Sequence, residues 1–194
     1  MPADKTTPVQ ASEVFRPVFL RGLSALIYAL ASIFWINADT QVLAYATGAL
    51  LVVTGVFMWQ YASVPSAPEK SRGLYALGSG LMLVAGIVTL FMSTPAMVGF
   101  MAAFGFLVAG ISEILIFAKY RGVFPPYRNQ LVSGAVSVAL AAALAVGGSL
   151  DAHGMFGLIG GGAIIFAVFV LIAAFGHRHE SRKEQADPGT PESN

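Results

Sequence analysis

Length, composition and charge place this chain in a lipid bilayer. It has 194 residues, of which 56% are hydrophobic and 11% charged, and its mean hydropathy is +0.73. A soluble domain carries about 25% charged residues, and a chain this apolar would expose aggregation-prone patches in water. The same composition excludes intrinsic disorder. A net charge of +1 gives no indication of a nucleic-acid partner, and the absence of cysteine excludes disulfides, thiol nucleophiles and thiolate metal sites.

Six apolar stretches are each long enough to cross the hydrocarbon core as a helix, which takes about 20 residues. In chain order they cover residues 18–36, 41–61, 73–93, 95–118, 130–150 and 154–176. Of all the charged residues, only Arg21 and Glu113 fall inside them. The sequence therefore predicts an all-α membrane protein of six transmembrane helices, with an N-terminal segment at 1–17, a disordered tail at 177–194 and the lipid bilayer as its partner.

The connections between these stretches alternate between short and long. Three of them contain one to four residues, whereas residues 62–72 and 119–129 form longer connections with two prolines each. Short connections join antiparallel neighbours, so the spans group into three helix hairpins, at 18–61, 73–118 and 130–176. In the middle hairpin, Thr94 and Pro95 form a typical helix start, because Thr caps a helix well and Pro needs no hydrogen bond at the first helical position.

Basic residues mark one side of the predicted topology. All eleven lysines and arginines lie in the termini, in the two long connections or at the span ends beside them, and the short turns carry only Asp39, Asp151 and His153. The positive-inside rule then predicts that both termini and both long connections face the cytoplasm. Five aromatic residues lie near span ends, where the membrane interface favours them: Trp35, Trp59, Tyr61, Tyr120 and Tyr127.

The three hairpins share a pattern of small residues that indicates an internal threefold repeat. In the first helices we align Gly22, Gly80 and Gly134. The second helix of each hairpin carries two small residues seven positions apart. Seven residues make about two helical turns, so such a pair lies on one face and lets helix backbones approach in lipid. An even number of helices per repeat predicts parallel repeats around a pseudo-threefold axis. The second helices each carry such a pair: Gly48 with Gly55, Ala103 with Gly110, and Gly160 with Ala167.

Several short motifs in these helices resemble the HdeD family of small bacterial acid-resistance membrane proteins. The resemblance covers roughly residues 21–178. It implies a multi-pass protein of the bacterial inner membrane that acts in acid or envelope stress, with no established reaction or transported substrate. The motifs are Arg21-Gly22-Leu23 and Phe34-Trp35 in the first helix, Gly48 and Gly55 in the second, residues 109–114 in the fourth, and Leu131 with Ser133-Gly134 in the fifth.

Arg21 and Glu113 are the candidate functional residues of the membrane region, because an ionisable group at membrane depth is costly and commonly functional. Glu113 precedes Lys119 by six residues, about 9 Å of helix, so it lies close to the predicted cytoplasmic end. Arg21 lies at a similar depth. We expect one of two arrangements: a structural ion pair that joins the first and fourth helices, or two side chains that reach the interface separately.

His153 is a candidate external pH-responsive residue, because histidine titrates close to neutral pH. The alternative is an ordinary polar residue in a turn. His177 and His179 flank Arg178, which makes a poor metal site. No catalytic set, phosphate-binding loop or metal-binding spacing occurs in the sequence. We therefore expect a non-enzymatic protein with no cofactor and no metal.

Two functions remain open from the sequence. The first is a non-enzymatic protein of envelope stress that forms homo-oligomers or binds other membrane proteins through its small-residue faces. The second is a small channel or transporter for protons or a small neutral solute, with its path along the pseudo-threefold axis. For that path the spans offer only serine and threonine near the midplane, such as Thr54 and Ser137. A continuous polar cavity along the axis would favour the second function.

Overall fold

The computed structural model describes residues 8–186, which fold into six long α-helices and one short 3-10 helix. Six helical stretches are long and apolar enough to span a membrane, the fifth of them made of the 3-10 helix and the fifth long helix together, which confirms the prediction of an all-α, six-helix membrane fold. The 3-10 helix at Pro125–Asn129 leads directly into the fifth long helix. The long helices are α1 (Pro8–Phe34), α2 (Thr40–Ala62), α3 (Glu69–Thr89), α4 (Pro95–Tyr120), α5 (Gln130–Val146) and α6 (Ala152–Ala186).

Side-chain caps begin the helices that follow the short turns. The Asp39 carboxylate accepts a hydrogen bond from the Val42 N–H at 2.8 Å, and the Thr94 hydroxyl accepts one from the Met97 N–H at 3.3 Å. Pro95 occupies the first turn of α4, as the sequence predicts. Each cap satisfies an N–H that has no partner within its helix. The short turns lie at one end of the bundle, which we call the turn end, and the two long connections lie at the other, the basic end.

Helical structure extends further than predicted at both ends of the chain. α1 begins at Pro8, and α6 continues to Ala186, so the predicted disorder is wrong for residues 177–186. The rest of the predicted tail, 187–194, lies outside the described residues, as do residues 1–7. Polar composition alone does not end a helix, because a helix that leaves the membrane can continue as a polar helix when a neighbour packs against it.

The neighbour of the α6 extension is the first half of α1. The Phe175 ring lies 6.5 Å from the ring of Phe15 and 5.9 Å from the ring of Phe19. The Arg178 guanidinium lies over the Phe15 ring at 5.5 Å from its centroid. Aromatic and cation–π contacts of this kind hold the two helices together where they leave the apolar region.

The six long helices form a ring in which consecutive helices are neighbours, and three of the six also meet at its centre. α2, α4 and α6 contact one another at the centre, whereas α1, α3 and α5 lie outside, each against two inner helices. Within residues 8–186 the backbones of the three outer helices do not contact one another. Each hairpin thus contributes one outer and one inner helix, and the three hairpins have the predicted pseudo-threefold arrangement.

The most extensive packing joins successive hairpins rather than the two helices of one hairpin. α2 packs on α3, α4 on α5 and α6 on α1, and each of these contacts exceeds those within the hairpins. The contact between α5 and α6 is the least extensive between neighbours in the ring. Chain connectivity therefore defines the hairpin, but the small-residue faces decide which helices pack closely.

Buried positions recur through the three hairpins in a fixed register. Between the first and second hairpins the shift is 57 residues in the outer helices and 55 in the inner ones, and between the second and third it is 55 and 57. Residues that share a position in all three hairpins are called counterparts below. The sets that concern the predicted packing residues are Gly22, Ser79 and Gly134; Gly48, Ala103 and Gly160; and Gly55, Gly110 and Ala167.

This register corrects the predicted alignment by one residue in α3. Ser79 is fully buried, and a Cβ on Gly55 would lie 3.2 Å from the carbonyl oxygen of Ser79. A Cβ on Gly80 would meet no atom within 4 Å. The prediction that Gly80 packs against another helix is therefore wrong. The contact needs a small residue rather than glycine itself, and serine supplies it.

The remaining predicted packing residues lie at helix contacts or in the core. The closest approach joins Gly110 of α4 and Gly134 of α5: a Cβ on either would lie 2.7 or 2.8 Å from the carbonyl oxygen of the other. Real Cβ atoms do not approach so closely, so α4 and α5 cross here because both residues lack one. The others are Gly22 and Gly160 between α1 and α6, Gly48 and Gly55 between α2 and α3, and the buried Ala103 and Ala167.

Candidate functional site

Arg21 and Glu113 form a buried ion pair towards the basic end of the bundle. Nη1 of Arg21 donates to Oε1 of Glu113, and the Glu113 side chain is fully buried while the Arg21 side chain is 8% exposed. The backbones of α1 and α4 do not contact each other within the described residues, and the two helices are three places apart in the ring. The pair therefore crosses the core of the bundle. Of the two arrangements that the sequence left open, the structure has the paired one.

The repeat shows that both charges are exceptions to the pattern of the core. The Glu113 carboxylate fits because α5 is close and small at this level: a Cβ on Gly134 would lie only 3.1 Å from the Glu113 Cβ. The charges thus belong to one specific contact and not to the general architecture. All their counterparts are uncharged: Gly78 and Ser133 for Arg21, and Met58 and Val170 for Glu113.

The pair is only partly satisfied by hydrogen bonds. Nε of Arg21 and Oε2 of Glu113 are buried without a hydrogen-bond partner among the described residues. The Arg21 guanidinium also lies 4.8 Å from the centroid of the Phe166 ring on α6, which contributes a cation–π contact. A buried charge is costly unless it is paired, so loss of either partner leaves the other in an unfavourable position.

A cluster of tyrosines closes the core near the ion pair. The rings of Tyr61, Tyr75 and Tyr127 lie 5.5 to 5.9 Å from one another, in tilted or edge-to-face arrangements. The Tyr127 hydroxyl is 2.7 Å from the Ser71 hydroxyl. Those of Tyr61 and Tyr75 are buried without a hydrogen-bond partner among the described residues. The cluster joins α2, α3 and the 3-10 helix at the basic end.

Sequence reasoning missed this cluster. The interpretation as interfacial aromatics is wrong for Tyr61 and Tyr127, which are 4% and 0% exposed, whereas Trp35 and Trp59 are about half exposed. The signal was present for Tyr61, because it lies one turn beyond the buried Met58 on the small-residue face of α2. The 3-10 helix that carries Tyr127 left no comparable periodic pattern.

Side chains of the three inner helices, together with residues of α1 and α5, line a small gap near the middle of the bundle. Leu50, Phe106 and Phe166 surround a gap of about 10 Å³, which Thr54 and Ser137 also line. A gap of that volume holds a single water molecule at most. The two hydroxyl residues that the sequence offered for a polar path therefore face a closed, mostly apolar centre.

A larger cavity, of about 150 Å³, lies at the basic end between α1, α2, α6 and the start of α5. Its polar lining comes from Arg21, Tyr61, Asn129, Gln130, Ser133 and, from α6, His177. The Nδ2 of Asn129 and the Nε2 of the histidine are 3.4 Å apart. The ion pair thus lies beside a space large enough for a small chemical group.

His153 lies far from this site. It is exposed in the first turn of α6, at the turn end, whereas the ion pair lies towards the basic end. In the described part of the chain, no group of three or more His, Asp or Glu residues could hold a metal ion. The pH-responsive role of His153 stays a prediction.

Two overlapping segments, residues 20–91 and 77–146, match a family model described as a short repeat of unknown function, DUF308. The chain belongs to the DUF308 family. This family of small membrane proteins includes the HdeD-like proteins. No curated protein and no solved structure matches the chain.

The two DUF308 matches agree with the repeat seen in the structure. They begin 57 residues apart, at 20 and 77, and end 55 residues apart, at 91 and 146. These are the two shifts that relate the buried positions of successive hairpins. Each match runs from an outer helix through the next inner helix and into the following outer helix, so it contains the close contact between successive hairpins.

Proposed function

We propose that this DUF308 protein is a non-enzymatic protein of the bacterial inner membrane that protects the cell envelope during acid stress. The stress role draws on the resemblance of its helix motifs to the HdeD family and on membership of DUF308, which includes HdeD-like proteins. The concentration of lysine and arginine at the basic end supports cytoplasmic termini under the positive-inside rule. We propose that it acts by assembly, with itself or with other membrane proteins.

The observation that carries the non-conducting part of this proposal is the closed centre at Phe106 and Phe166. Channels and transporters need a path lined by polar groups or by exposed backbone. Here the gap at the centre is about 10 Å³ and mostly apolar. The one intramembrane acid, Glu113, is paired with Arg21 rather than placed in an open pathway. These features favour a structural role over conduction.

Acid survival of a deletion strain tests the stress role. We expect deletion of the gene in its bacterial host to lower survival at low external pH and a plasmid copy of the wild type to restore it. His153→Gln should restore survival equally, because the exposed His153 side chain lies at the turn end, away from the buried ion pair. Unchanged survival after deletion would contradict the stress role. If the His153→Gln copy did not restore survival, the response to pH would depend on His153 at the turn end.

Flux through proteoliposomes tests the closed centre. Vesicles that contain the purified protein should leak protons and small neutral solutes no faster than protein-free vesicles, at neutral and at acidic pH. A leak that depends on the protein would reject the non-conducting role and support a small channel or transporter instead.

A further inference from the structure

The cavity at the basic end exists because three residues of its wall are smaller than their counterparts in the repeat. Val18 and Gln130 are the counterparts of Tyr75, whose fully buried ring fills the matching space in the second hairpin. Ala173 is the counterpart of Tyr61. The space is therefore a departure from the repeated packing, and it lies where α5 packs least extensively on α6.

Two polar groups in the cavity wall are buried without a hydrogen-bond partner in the part of the chain that the structure describes. One is Nε of Arg21, whose side chain is 8% exposed, and the other is the hydroxyl of Tyr61, which is 4% exposed. Gln130 lines the same cavity and interacts with that hydroxyl, but without the geometry of a hydrogen bond. Because an unpaired buried donor is unfavourable, both groups call for an acceptor that occupies the cavity.

The rim of the cavity is apolar and exposed. Val132, Phe169 and Ile172 line it and are 42%, 46% and 64% exposed. In a bilayer, apolar side chains exposed on the outside of the bundle face acyl chains. The cavity is thus polar at Arg21 and apolar at its rim, which is the polarity of a phospholipid where the headgroup meets the chains.

We propose that this cavity binds the phosphate of an anionic phospholipid, with the acyl chains against Val132, Phe169 and Ile172. Phosphate oxygens accept hydrogen bonds, and the planar guanidinium is the side chain best suited to them. Nη1 of Arg21 remains on Glu113, while Nε and the Tyr61 hydroxyl donate to the phosphate. A cavity of about 150 Å³ has room for this group. The many basic residues of this end attract anionic lipids to it.

Thermal unfolding of the purified full chain in detergent tests this site. The probes are phosphatidylglycerol, phosphatidylcholine and inorganic phosphate, and the readout is the rise of Tm with probe concentration, which reports binding to the folded state. The test variant is Ala173→Ile, which fills the cavity. Isoleucine is chosen because Ile116 is the counterpart of Ala173 in the second hairpin. The control is Ala135→Ile, which adds the same volume on the exposed side of α5.

We expect phosphatidylglycerol to raise the Tm of the wild type and of Ala135→Ile more than phosphatidylcholine does, with little effect of inorganic phosphate. In Ala173→Ile the apparent affinity for phosphatidylglycerol should fall about tenfold or more, the factor that 1.4 kcal/mol represents. Equal shifts with the two lipids would overturn the anionic lipid as the ligand, since phosphatidylcholine carries the same phosphate, and equal affinity in Ala173→Ile and the wild type would overturn the site. A full shift with inorganic phosphate alone would overturn the lipid as the source of the phosphate.

Native mass spectrometry of the wild type provides a second measurement that does not depend on a variant. At equal lipid concentrations, phosphatidylglycerol should remain bound to a larger fraction of the protein than phosphatidylcholine does. Equal retention of the two lipids would contradict selective binding of an anionic headgroup, even if Ala173→Ile fails to fold. Neither experiment depends on the stress role.

Discussion

Arg21 and Glu113 stand where the repeat elsewhere places uncharged residues, and they do so inside a membrane. A buried ion pair loses hydration that mutual attraction offsets only when the geometry is good and the remaining polar atoms are paired. In this pair, Nε and Oε2 are left without partners. The pair is therefore a weak source of net stability, although loss of one partner alone should be costly. It fixes α1 relative to α4, two helices whose backbones do not contact each other within the described residues.

Exchange of the pair for its uncharged counterparts tests this coupling. Arg21→Ser and Glu113→Met, taken singly, each leave a buried charge without a partner and should lower the free energy of unfolding by about 3–5 kcal/mol. The double variant should lose far less than the sum, because no charge then remains buried. Unfolding in detergent measures all three, with the exposed Lys70→Ser as the control, which should change stability by about 0.5 kcal/mol or less. Strictly additive losses would show that the residues do not couple.

At the scale of helices, close packing between successive hairpins depends on residues without a bulky Cβ substituent. α4 and α5 cross where Gly110 and Gly134 place each carbonyl oxygen against the other helix. α2 and α3 cross in the same register, with Ser79 in place of the second glycine. In lipid, apolar burial does not drive helices together, so the dispersion contact at these crossings carries the association.

Gly134→Ala and Gly80→Ala form a matched pair of tests, since both add one methyl group to an outer helix. The methyl group at 134 would lie 2.8 Å from the carbonyl oxygen of Gly110, so the helices must separate. We expect a loss of about 1–3 kcal/mol, as for other overpacked sites. At 80 the methyl group meets nothing within 4 Å, so alanine should be neutral or stabilise by up to about 1 kcal/mol. Unfolding in detergent separates the two, and equal losses would reject the corrected register.

At the scale of the whole molecule, the two ends of the bundle differ in charge and in connection length. The basic end carries the long connections, the 3-10 helix, the tyrosine cluster and the cavity, whereas the turn end consists of short capped turns. The ion pair, the tyrosine cluster and the cavity, which depart from the threefold repeat, thus all lie towards one membrane surface. We predict that this surface is the cytoplasmic one.

Single cysteines introduced into this cysteine-free chain test the orientation. Ser63→Cys lies in the first long connection and Ser149→Cys in the last short turn, and both serines are exposed. In intact spheroplasts, a membrane-impermeant maleimide should label the cysteine at 149 and should label the one at 63 only after lysis. Labelling of the cysteine at 63 in intact spheroplasts would show that the basic end faces outward.

The sequence by itself determined the number of helices, most of their ends and the threefold plan. Each of these rests on local information: apolar runs of about 20 residues, a cap such as Thr94, prolines in the connections, and small residues seven positions apart. The polar continuation of α6 to Ala186 was missed, because packing against the first half of α1 is not a local property.

Only the tertiary structure decided the contents of the basic end. The sequence named Arg21 and Glu113 and left their pairing open, since their meeting depends on which helices stand opposite each other across the core. Three other features depend in the same way on which helix faces meet. They are the burial of Tyr127, the use of Ser79 rather than Gly80 at the helix contact, and the cavity beside Gln130. Helix formation is set by neighbours along the chain, whereas these features arise from side-chain volumes contributed by residues far apart in sequence.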